Sequence, residues 1–502
     1  MPQATLNIDP AFSSAPVRPR TFGSFVEHLG RCVYTGIYEP GHPLADEHGF
    51  RSDVLEATRD LGVTMVRYPG GNFVSGYRWE DGVGPAEQRP RRLDLAWHST
   101  EPNQVGVDEF MAWAKLAGVE PMMALNLGTR GVQEALDLLE YCNVPQGTYW
   151  SNARRANGAE EPYRVKLWCL GNEMDGPWQI GGKTAREYGR LASQTAKAMR
   201  LIDPNLQLVV CGSSSSAMPT FGKWEKTVLD ETYDDVDFIS AHAYYWEKDG
   251  DLESFLGSAV DMDRFIAAVV ATCDHVRAVR KADKRLMISF DEWNVWYQDR
   301  AESRPPTGDD WPVAPVLLED RYNVADAVVV GNLLISLLRH SDRVQAACLA
   351  QLVNVIAPIM TEPGGGLWRQ TTFHPFALTA RHAKGHVLEL PVNCPTTATT
   401  RFGDIPVIDA AATHDADTGD LTVFMVNRSA AEMIDLRLDL RAVRRSRLVE
   451  AVLLSSPDHT RRANADDPAT VSPKPLDAQL SGGAAAVALP PISWAMVRLS
   501  AS

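Results

Sequence analysis

Positive charge, paired cysteines and long apolar runs are all scarce in this sequence. The 502 residues carry a formal net charge of -15 at pH 7. A surface of that sign repels nucleic acids and anionic lipids, so neither is an expected partner. No run is apolar enough, for long enough, to cross a membrane, and the first residues lack the basic and apolar regions of an export signal. We therefore expect a protein of the cytoplasm.

Cysteine and histidine are too scattered to indicate a metal or redox centre. The seven cysteines are odd in number and never form a CxxC pair, which is typical of reduced thiols. The histidines lack the HExxH spacing of zinc enzymes, and the glycine run at 364–366 lacks the Lys and Ser/Thr of a phosphate loop. The sequence predicts no metal and no other cofactor.

Short apolar runs alternate with amphipathic patterns over residues 18–376. Eight runs have the length and flanking turn residues of strands, at 21–28, 63–68, 121–127, 165–170, 206–211, 236–241, 285–290 and 346–353. Apolar residues at three and four spacing predict helices, at 52–61, 107–117, 184–201, 261–281 and 322–340. A doubly wound sheet more often has fewer strands, so this α/β alternation favours a (β/α)8 TIM barrel.

The residue pattern changes beyond residue 376, where short segments of alternating apolar and polar residues are separated by Asp, Gly and Pro turns. Such segments are typical of a β-sandwich and lie at 422–426, 434–440, 447–454, 484–489 and 493–499. We therefore predict a catalytic barrel at 18–376 and a jelly-roll-like sandwich at 377–502. Residues 3–8 also alternate, so the segment 1–17 is expected to add a strand to the sandwich. The loop at 300–315 is expected to cover the barrel mouth.

Two glutamates end predicted strands that are far apart in the sequence. Glu173 follows the fourth run and Glu292 follows the seventh. In a barrel both would face one mouth, because residues at the carboxyl ends of the strands meet there. Burying a carboxylate is costly, so two of them at one place indicate acid/base chemistry, as in glycoside hydrolysis. The alternative is a structural ion pair near the barrel rim.

Four segments at these strand ends form a joint pattern, namely FGSFVEH at 22–28, VRYPGGN at 66–72, LGNEMDGPW at 170–178 and ISFDEWN at 288–294. Together they resemble the signatures of glycoside hydrolase family 51, the retaining α-L-arabinofuranosidases of clan A. The similarity covers both the predicted barrel and the predicted sandwich.

Carried over to this sequence, the resemblance implies that Glu173 protonates the departing glycosidic oxygen and that Glu292 attacks the anomeric carbon. The first carboxyl must hold its proton near neutral pH, whereas the second must be ionised. Glu173 would then activate the water that cleaves the glycosyl ester, with retention of configuration. The implied activity is exo-acting release of terminal non-reducing α-L-arabinofuranosyl residues from arabinan or arabinoxylan oligosaccharides.

The same resemblance implies sugar-binding roles for four amide and carboxylate side chains, Glu27, Asn72, Asn172 and Gln351. Such groups can reject epimers, because a wrong hydroxyl leaves a buried partner unpaired. Loop capping is the alternative for Glu27 and Asn72. A strand-core amide bound to backbone is the alternative for Gln351.

Supporting roles are expected for further residues near the strand ends. His242 and Tyr244 are two residues apart, so they share a strand face. Tyr244, a further substrate-site residue, is expected to donate a hydrogen bond to Glu292, which Arg67 would also stabilise. His242 either acts directly or supports the site from behind. Tryptophans after the strands either stack on sugar rings or pack in the rim, and they are Trp97, Trp178 and Trp296.

Other function classes fit the same pattern. A retaining endoglucanase or β-xylosidase is one alternative, since the fold and the carboxylate pair do not fix the sugar. A catalytically silent sugar-binding protein is the other. Members of the family are commonly hexamers, so the resemblance also implies a homohexamer. The choice among 1,2, 1,3 and 1,5 linkages depends on loop shape and stays open at this point.

Overall fold

Eight parallel strands close into a barrel in the computed structural model, which describes residues 2–443 and 446–500. In chain order the strands are Gly23–Phe25, Met65–Tyr68, Glu120–Ala124, Leu167–Cys169, Gln207–Val210, Phe238–Tyr245, Met287–Val295 and Val344–Leu349. Each pairs with its neighbours in sequence, and each overlaps one predicted run, so the (β/α)8 barrel is confirmed. Residues 1, 444, 445, 501 and 502 of the predicted domain ranges lie outside the described residues.

Helices connect the barrel strands. Within the described residues the α-helices are Ser52–Leu61, Val107–Ala117, Val132–Asn143, Tyr149–Ala156, Ala185–Ile202, Lys223–Thr232, Leu252–Leu256, Ser258–Arg280, Val324–Arg339 and Phe373–His382. Short 3-10 turns add Pro19–Phe22, Asn72–Gly76, Trp79–Gly82, Ala86–Gln88 and Ala301–Ser303. Five of the α-helices match the predicted ones to within three residues at each end. The helix Val132–Asn143 was missed, although its buried residues follow helical spacing.

Local sequence determines where these helices begin and end. At the start of Ala185–Ile202, the Glu187 N–H donates to Oγ1 of Thr184 at 3.4 Å, and the Thr184 N–H donates to the Glu187 carboxylate at 3.0 Å. This reciprocal pair satisfies backbone donors that the helix leaves free. The helix Ser52–Leu61 ends at Gly62, whose φ of 81° lies in the left-handed region that glycine adopts readily.

Two sheets form a β-sandwich at the C-terminal end. The five-stranded sheet has the order Val392–Asn393, Gln3–Asn7, Ile434–Asp439, Ala484–Leu489 and Ala478–Ser481. The seven-stranded sheet has the order Ser13–Pro16, His386–Leu388, Ile408–Asp415, Asp420–Asn427, Ser493–Ser500, Arg447–Leu454 and Lys474–Pro475. Alternate residues of both sheets face a shared apolar core, as in a sandwich. The N-terminal strand Gln3–Asn7 pairs in parallel with Ile434–Asp439.

Three small hairpins complete the described strands. They are Arg92–Asp94 with Ser99–Glu101, Ile359–Thr361 with Leu367–Arg369, and Thr396–Thr399 with Gly403–Pro406. The helix Val324–Arg339 is buried along nearly its whole length, because it packs against barrel helices and against the sandwich strand Ile408–Asp415. The helix Phe373–His382 runs across position 376, where the sequence predicts the domain boundary. None of the helices in the described part of the chain is long and apolar enough to span a membrane.

Candidate active site

The carboxyl ends of the barrel strands bring the predicted residues into one buried pocket. Glu173 lies just beyond the fourth strand and Glu292 lies within the seventh, and they are 8% and 5% exposed. Asn72 and Tyr244 are half-buried. The remaining predicted ligands and supports among the polar residues are buried, namely Glu27, Arg67, Asn172, His242 and Gln351.

The carboxylates of Glu173 and Glu292 lie close together. One oxygen of each, together with Nδ1 of His242, forms a group in which all atoms are within 4.8 Å of one another. Retaining glycosidases separate their two carboxyl groups by about 5–5.5 Å, whereas inverting enzymes need about 6.5–9.5 Å to admit a water. The pocket therefore has the geometry of a double displacement.

Glu292 is held through both of its oxygens. The Arg67 guanidinium donates to Oε1 at 2.7 Å, and the Tyr244 hydroxyl donates to Oε2 at 2.7 Å. Burial raises the pKa of Glu292, and the nearby Glu173 carboxylate adds to the rise, while His242, Arg67 and Tyr244 act to lower it. Three side chains, Arg67, Tyr244 and His242, thus oppose the effect of burial and favour the ionised carboxylate.

Glu173 meets a different set of partners. The Trp178 indole N–H donates to Oε2 at 2.7 Å, and Nδ1 of His242 lies 2.9 Å from Oε1. The chain turns sharply here, since Gly171 has a φ of 101° and Glu173 has a φ of 43°. Left-handed backbone costs a non-glycine residue roughly 1–2 kcal/mol, so the fold tolerates strain in order to aim this side chain into the pocket.

His242 lies among three carboxylates. Its Nδ1 is 2.9 Å from Glu173 and 3.5 Å from Oε2 of Glu292, and its Nε2 is 3.0 Å from Oδ1 of Asp291. Burial lowers the pKa of His242, but the carboxylates outweigh burial and raise the pKa to about 10. Carboxylate and imidazole are also donor types for divalent cations. Here both oxygens of Glu292 already accept hydrogen bonds from Arg67 and Tyr244, so this carboxylate has its partners within the protein.

Asp291 is a member of the site that the sequence did not single out. It is 1% exposed. Burial raises the pKa of Asp291, but the hydrogen bond from His242 and the charge of Arg67 outweigh it and leave the pKa below its usual value. Successive residues of a regular strand face opposite sides, so Asp291 and Glu292 would not be expected in one pocket. Register shifts between Ser240 and His242 and between Phe290 and Trp293 break that alternation.

Glu27 forms the opposite side of the pocket. Its Oε1 accepts from the Phe73 backbone N–H and the Trp97 indole N–H, each at 3.0 Å, and its Oε2 accepts from Nε2 of Gln351 at 3.0 Å. Burial raises the pKa of Glu27 to about 8, and the Glu292 charge contributes to the rise. Trp97, for which the sequence predicts either stacking on a sugar or packing, is buried in the hydrophobic core and also donates this hydrogen bond.

Gly71 lies directly between the two sides of the pocket. A Cβ at this position would lie 3.0 Å from Oε1 of Glu292 and 3.3 Å from Oε2 of Glu27. At Gly70, a Cβ would lie 2.8 Å from Cγ of Glu27. The glycine pair of the second motif therefore lets the backbone approach two carboxylates that any larger residue would displace.

Asn172 connects the two catalytic strand ends. Its Oδ1 accepts from Nη2 of Arg67 at 2.7 Å, and its Nδ2 lies 3.4 Å from Oδ1 of Asn72 and 3.5 Å from Oε1 of Gln179. Gln179 was not predicted, because nothing in its sequence surroundings distinguishes it from a loop residue. The Arg67 guanidinium thus positions both Glu292 and Asn172, the residue before Glu173.

The remaining predicted tryptophan, Trp296, packs edge-on against Tyr244 with ring centroids 5.0 Å apart, and its indole N–H donates to Ser303 at 3.1 Å. The loop expected to cover the mouth contacts the hairpin that carries Trp97. Trp311 of that loop stacks on His98 with centroids 3.7 Å apart. These contacts join the rim after the second strand to the rim after the seventh.

Comparisons with known proteins agree with this geometry. Two family models match, described as α-L-arabinofuranosidase 1 domain at residues 57–259 and α-L-arabinofuranosidase C-terminal domain at residues 291–493. An intracellular exo-α-(1→5)-L-arabinofuranosidase of Streptomyces lividans is 57% identical over 501 residues, which cover 99% of this chain and 75% of that protein. An exo-α-(1→6)-L-arabinofuranosidase of Bifidobacterium longum is 56% identical over 508 residues, which cover 99% of this chain and 97% of that protein.

Solved structures give the same result. A family 51 α-L-arabinofuranosidase from Bifidobacterium longum has a TM-score of 0.96 at 50% identity, with 99% of both chains covered. An α-L-arabinofuranosidase from Thermotoga maritima in complex with arabinose has a TM-score of 0.88 at 34% identity, with 99% of this chain and 100% of that chain covered. The chain belongs to the α-L-arabinofuranosidases of glycoside hydrolase family 51.

Proposed function

We propose that the chain is an exo-acting, retaining α-L-arabinofuranosidase that releases terminal non-reducing α-L-arabinofuranosyl residues from arabinan and arabinoxylan oligosaccharides. The observation that carries this proposal is the close approach of Glu173 and Glu292 in one buried pocket. Family membership supports it, since the relatives from Streptomyces lividans and Bifidobacterium longum are named exo-arabinofuranosidases.

In the first half-reaction, Glu292 attacks the anomeric carbon and Glu173 protonates the departing oxygen. Arg67 and Tyr244 hold both oxygens of Glu292, so the nucleophile is kept in a fixed orientation for the attack. Proton transfer to the leaving oxygen prevents the build-up of an alkoxide. The products are the released alcohol and an arabinofuranosyl ester of Glu292.

In the second half-reaction, Glu173 accepts a proton from the water that attacks the ester carbon. The ester bond breaks, Glu292 leaves as a carboxylate, and the configuration at the anomeric carbon is retained. Arg67 stabilises the carboxylate that is re-formed, through a hydrogen bond between two charged groups. Each turnover therefore returns both glutamates to their starting state.

The sugar itself is held by groups around Glu27. Glu27, Asn72, Asn172 and Gln351 present carboxylate and amide groups toward the pocket, and the furanose hydroxyls are their partners. Such converging groups discriminate arabinofuranose from a pyranose, because a misplaced hydroxyl leaves a buried group unpaired. The Trp97 indole holds the Glu27 carboxyl group in place, and the Trp178 indole holds that of Glu173.

The natural setting follows from the relatives. Those from Streptomyces lividans and Bacillus subtilis are named intracellular, and we extend a cytoplasmic location to this chain. Short imported oligosaccharides are then the substrates. Relatives of nearly equal identity are named for (1→5) and (1→6) bonds, so residues around the mouth, beyond the catalytic groups, determine the linkage. A homohexamer is proposed from the family resemblance, and a native mass measurement tests it.

Trapping with a 2-deoxy-2-fluoro arabinofuranoside that carries a good leaving group tests substrate and nucleophile together. The fluorine slows both steps, and the leaving group restores the first, so the ester accumulates. We expect the label on the peptide that contains Glu292, and release of product with retained configuration by NMR. A label on another residue would refute the assigned nucleophile. A clear preference for aryl xylosides or glucosides over arabinofuranosides would favour the β-xylosidase or endoglucanase alternative.

A further inference from the structure

The strongest unassigned feature of the pocket is the chain of contacts from Asp291 through His242 to Glu173. Nε2 of His242 lies 3.0 Å from Oδ1 of Asp291, and Nδ1 lies 2.9 Å from Oε1 of Glu173. All three side chains are buried, so water does not compete for these hydrogen bonds. Among the described residues, the Asp291 carboxylate makes hydrogen bonds with Cys169 and His242 and none with Glu173 or the Glu292 carboxylate.

The donor and acceptor roles in this series of three contacting side chains are restricted. Asp291 accepts from the thiol of Cys169 at 3.6 Å and lies 3.9 Å from Nε of Arg67, which favours its ionised form. A carboxylate only accepts, so Nε2 of His242 must carry a hydrogen. Only one proton then remains to be placed between Nδ1 of His242 and Oε1 of Glu173.

We propose that Asp291 is a positioning residue that acts through His242 to supply the proton of the general acid. Asp291 fixes the hydrogen on Nε2, so Nδ1 and Oε1 share a single proton. When the glycosidic C–O bond breaks, this pair gives one proton to the departing oxygen and is left as neutral imidazole and carboxylate. When water attacks the ester, the pair recovers one proton from that water. The inference rests on the proposed function, because it assigns the source of the proton in that reaction.

The surroundings of His242 agree with this role. The charged and titratable groups around it are Glu173, Asp291, Glu292, Arg67, Asp175, Cys169 and Cys211 from neighbouring strands and loops, and Tyr244 from its own strand. Removal of Asp291 leaves Glu173 and Glu292 in place but takes away the carboxylate that faces Nε2. Asp291 helps to raise the pKa of His242, so without it the imidazolium loses its proton at lower pH.

The test compares Asp291→Asn with wild type on two substrates, a 2,4-dinitrophenyl arabinofuranoside, which departs without a proton, and a phenyl arabinofuranoside, which needs one. We expect kcat/KM for the phenyl substrate to fall roughly tenfold to a hundredfold, because part of the general-acid contribution is lost. For the dinitrophenyl substrate we expect a change of less than about threefold. The basic limb of the phenyl profile should move to lower pH.

Three controls separate this role from a structural one. Asp320→Asn changes a buried carboxylate that accepts from the Tyr297 backbone, and it should alter neither the substrate ratio nor the basic limb. In a His242→Asn background, adding Asp291→Asn should have no further effect on the ratio. If Asp291→Asn does not fold, 15N NMR of the wild-type imidazole decides, since a neutral His242 with its hydrogen on Nδ1 would overturn the proposal.

The outcomes are distinguishable. Equal losses on both substrates, with an unmoved basic limb, would overturn the role of Asp291 while leaving the proposed function intact. Failure of the wild type to hydrolyse any arabinofuranoside would refute the proposed function itself. A selective loss on the phenyl substrate that persists unchanged in the His242→Asn background would also overturn the inference, because Asp291 would then act by another route.

Discussion

The pocket holds two buried glutamates in contrasting surroundings. Glu292 lies against two cationic side chains, Arg67 and His242, whereas the hydrogen bonds to Glu27 come from neutral donors such as the Trp97 indole and the Gln351 amide. Burial raises the pKa of both, but only at Glu292 do neighbouring positive charges oppose the rise. One residue type is thereby prepared for two tasks, nucleophilic attack at Glu292 and exchange of hydrogen bonds with hydroxyls at Glu27.

Replacing the charged member of this comparison should have the largest effect. Glu292→Gln removes the nucleophile while keeping its shape, so we expect kcat to fall by roughly 10⁴-fold or more on every arabinofuranoside. The matched control is Glu302→Gln, an exposed position beyond the same strand, which should retain wild-type kcat. Substantial residual turnover in Glu292→Gln, after exclusion of contaminating wild type, would show that Glu292 is not the nucleophile.

Glu173→Ala should produce a large but substrate-dependent loss. General acid catalysis contributes roughly 10²–10⁴-fold, so phenyl arabinofuranoside should lose that much in kcat/KM, while the 2,4-dinitrophenyl substrate should lose far less. Added azide should increase kcat with the dinitrophenyl substrate and give an arabinofuranosyl azide of retained configuration, because a small anion can attack the ester without a base. An equal loss for both leaving groups, or an azide product of inverted configuration, would contradict the acid/base role.

The same comparison explains how far sequence alone reaches. The part of the pocket around Glu173 and Glu292 was largely predictable. Both glutamates follow apolar runs of the sequence, and the spacing of Tyr244 from His242 places these two side chains on one strand face. The position of Asp291 was not predictable. Its presence in the pocket depends on register shifts in the sixth and seventh strands, and a shift of register leaves no signature in residue type.

The contacts of Glu27 were harder to predict, because they come from irregular backbone. Glu27 accepts from the backbone N–H of Phe73 in a 3-10 turn, and such a contact depends on loop conformation and not on a side chain. Trp97 lies beyond a short hairpin strand that no periodicity marks. The barrel strands themselves were predictable, since burial on both faces makes them continuous apolar runs.

Glu27→Gln should have an intermediate effect that also reports on pH. Loss of the Glu27 carboxyl leaves a buried hydroxyl of the sugar without its partner, so kcat/KM should fall by about ten- to a hundredfold. Between the usual glutamate pKa of 4.5 and the folded value of about 8, the native state binds a proton that the unfolded state does not. This contribution to stability is fully present below about pH 4.5 and is lost as pH rises through about 8.

Chemical denaturation at several pH values measures that difference. The free energy of unfolding of the wild type should decrease from pH 5 to pH 8 more steeply than that of Glu27→Gln, by on the order of a few kcal/mol. The substituted amide cannot ionise, so the curve of this variant reports all other groups. Parallel curves for the two proteins would mean that Glu27 is already ionised in the folded state at pH 5, and the contrast with Glu292 would fail.

Trp97→Phe should have the smallest effect and is the most direct test of the neutral donors to Glu27. It removes one neutral donor from Glu27, and such a hydrogen bond is worth about 1 kcal/mol, so kcat/KM should fall only about fivefold. Because the Trp97 N–H acts to lower the pKa of Glu27, its loss should raise that pKa and move the stability decline to higher pH.

The control is Trp113→Phe, a fully buried tryptophan whose indole N–H has no hydrogen-bond partner among the described residues. It should lower stability equally at every pH and leave kcat/KM unchanged. If Trp97→Phe behaved in the same way, the Trp97 indole would act only by packing, and its N–H would not lower the pKa of Glu27.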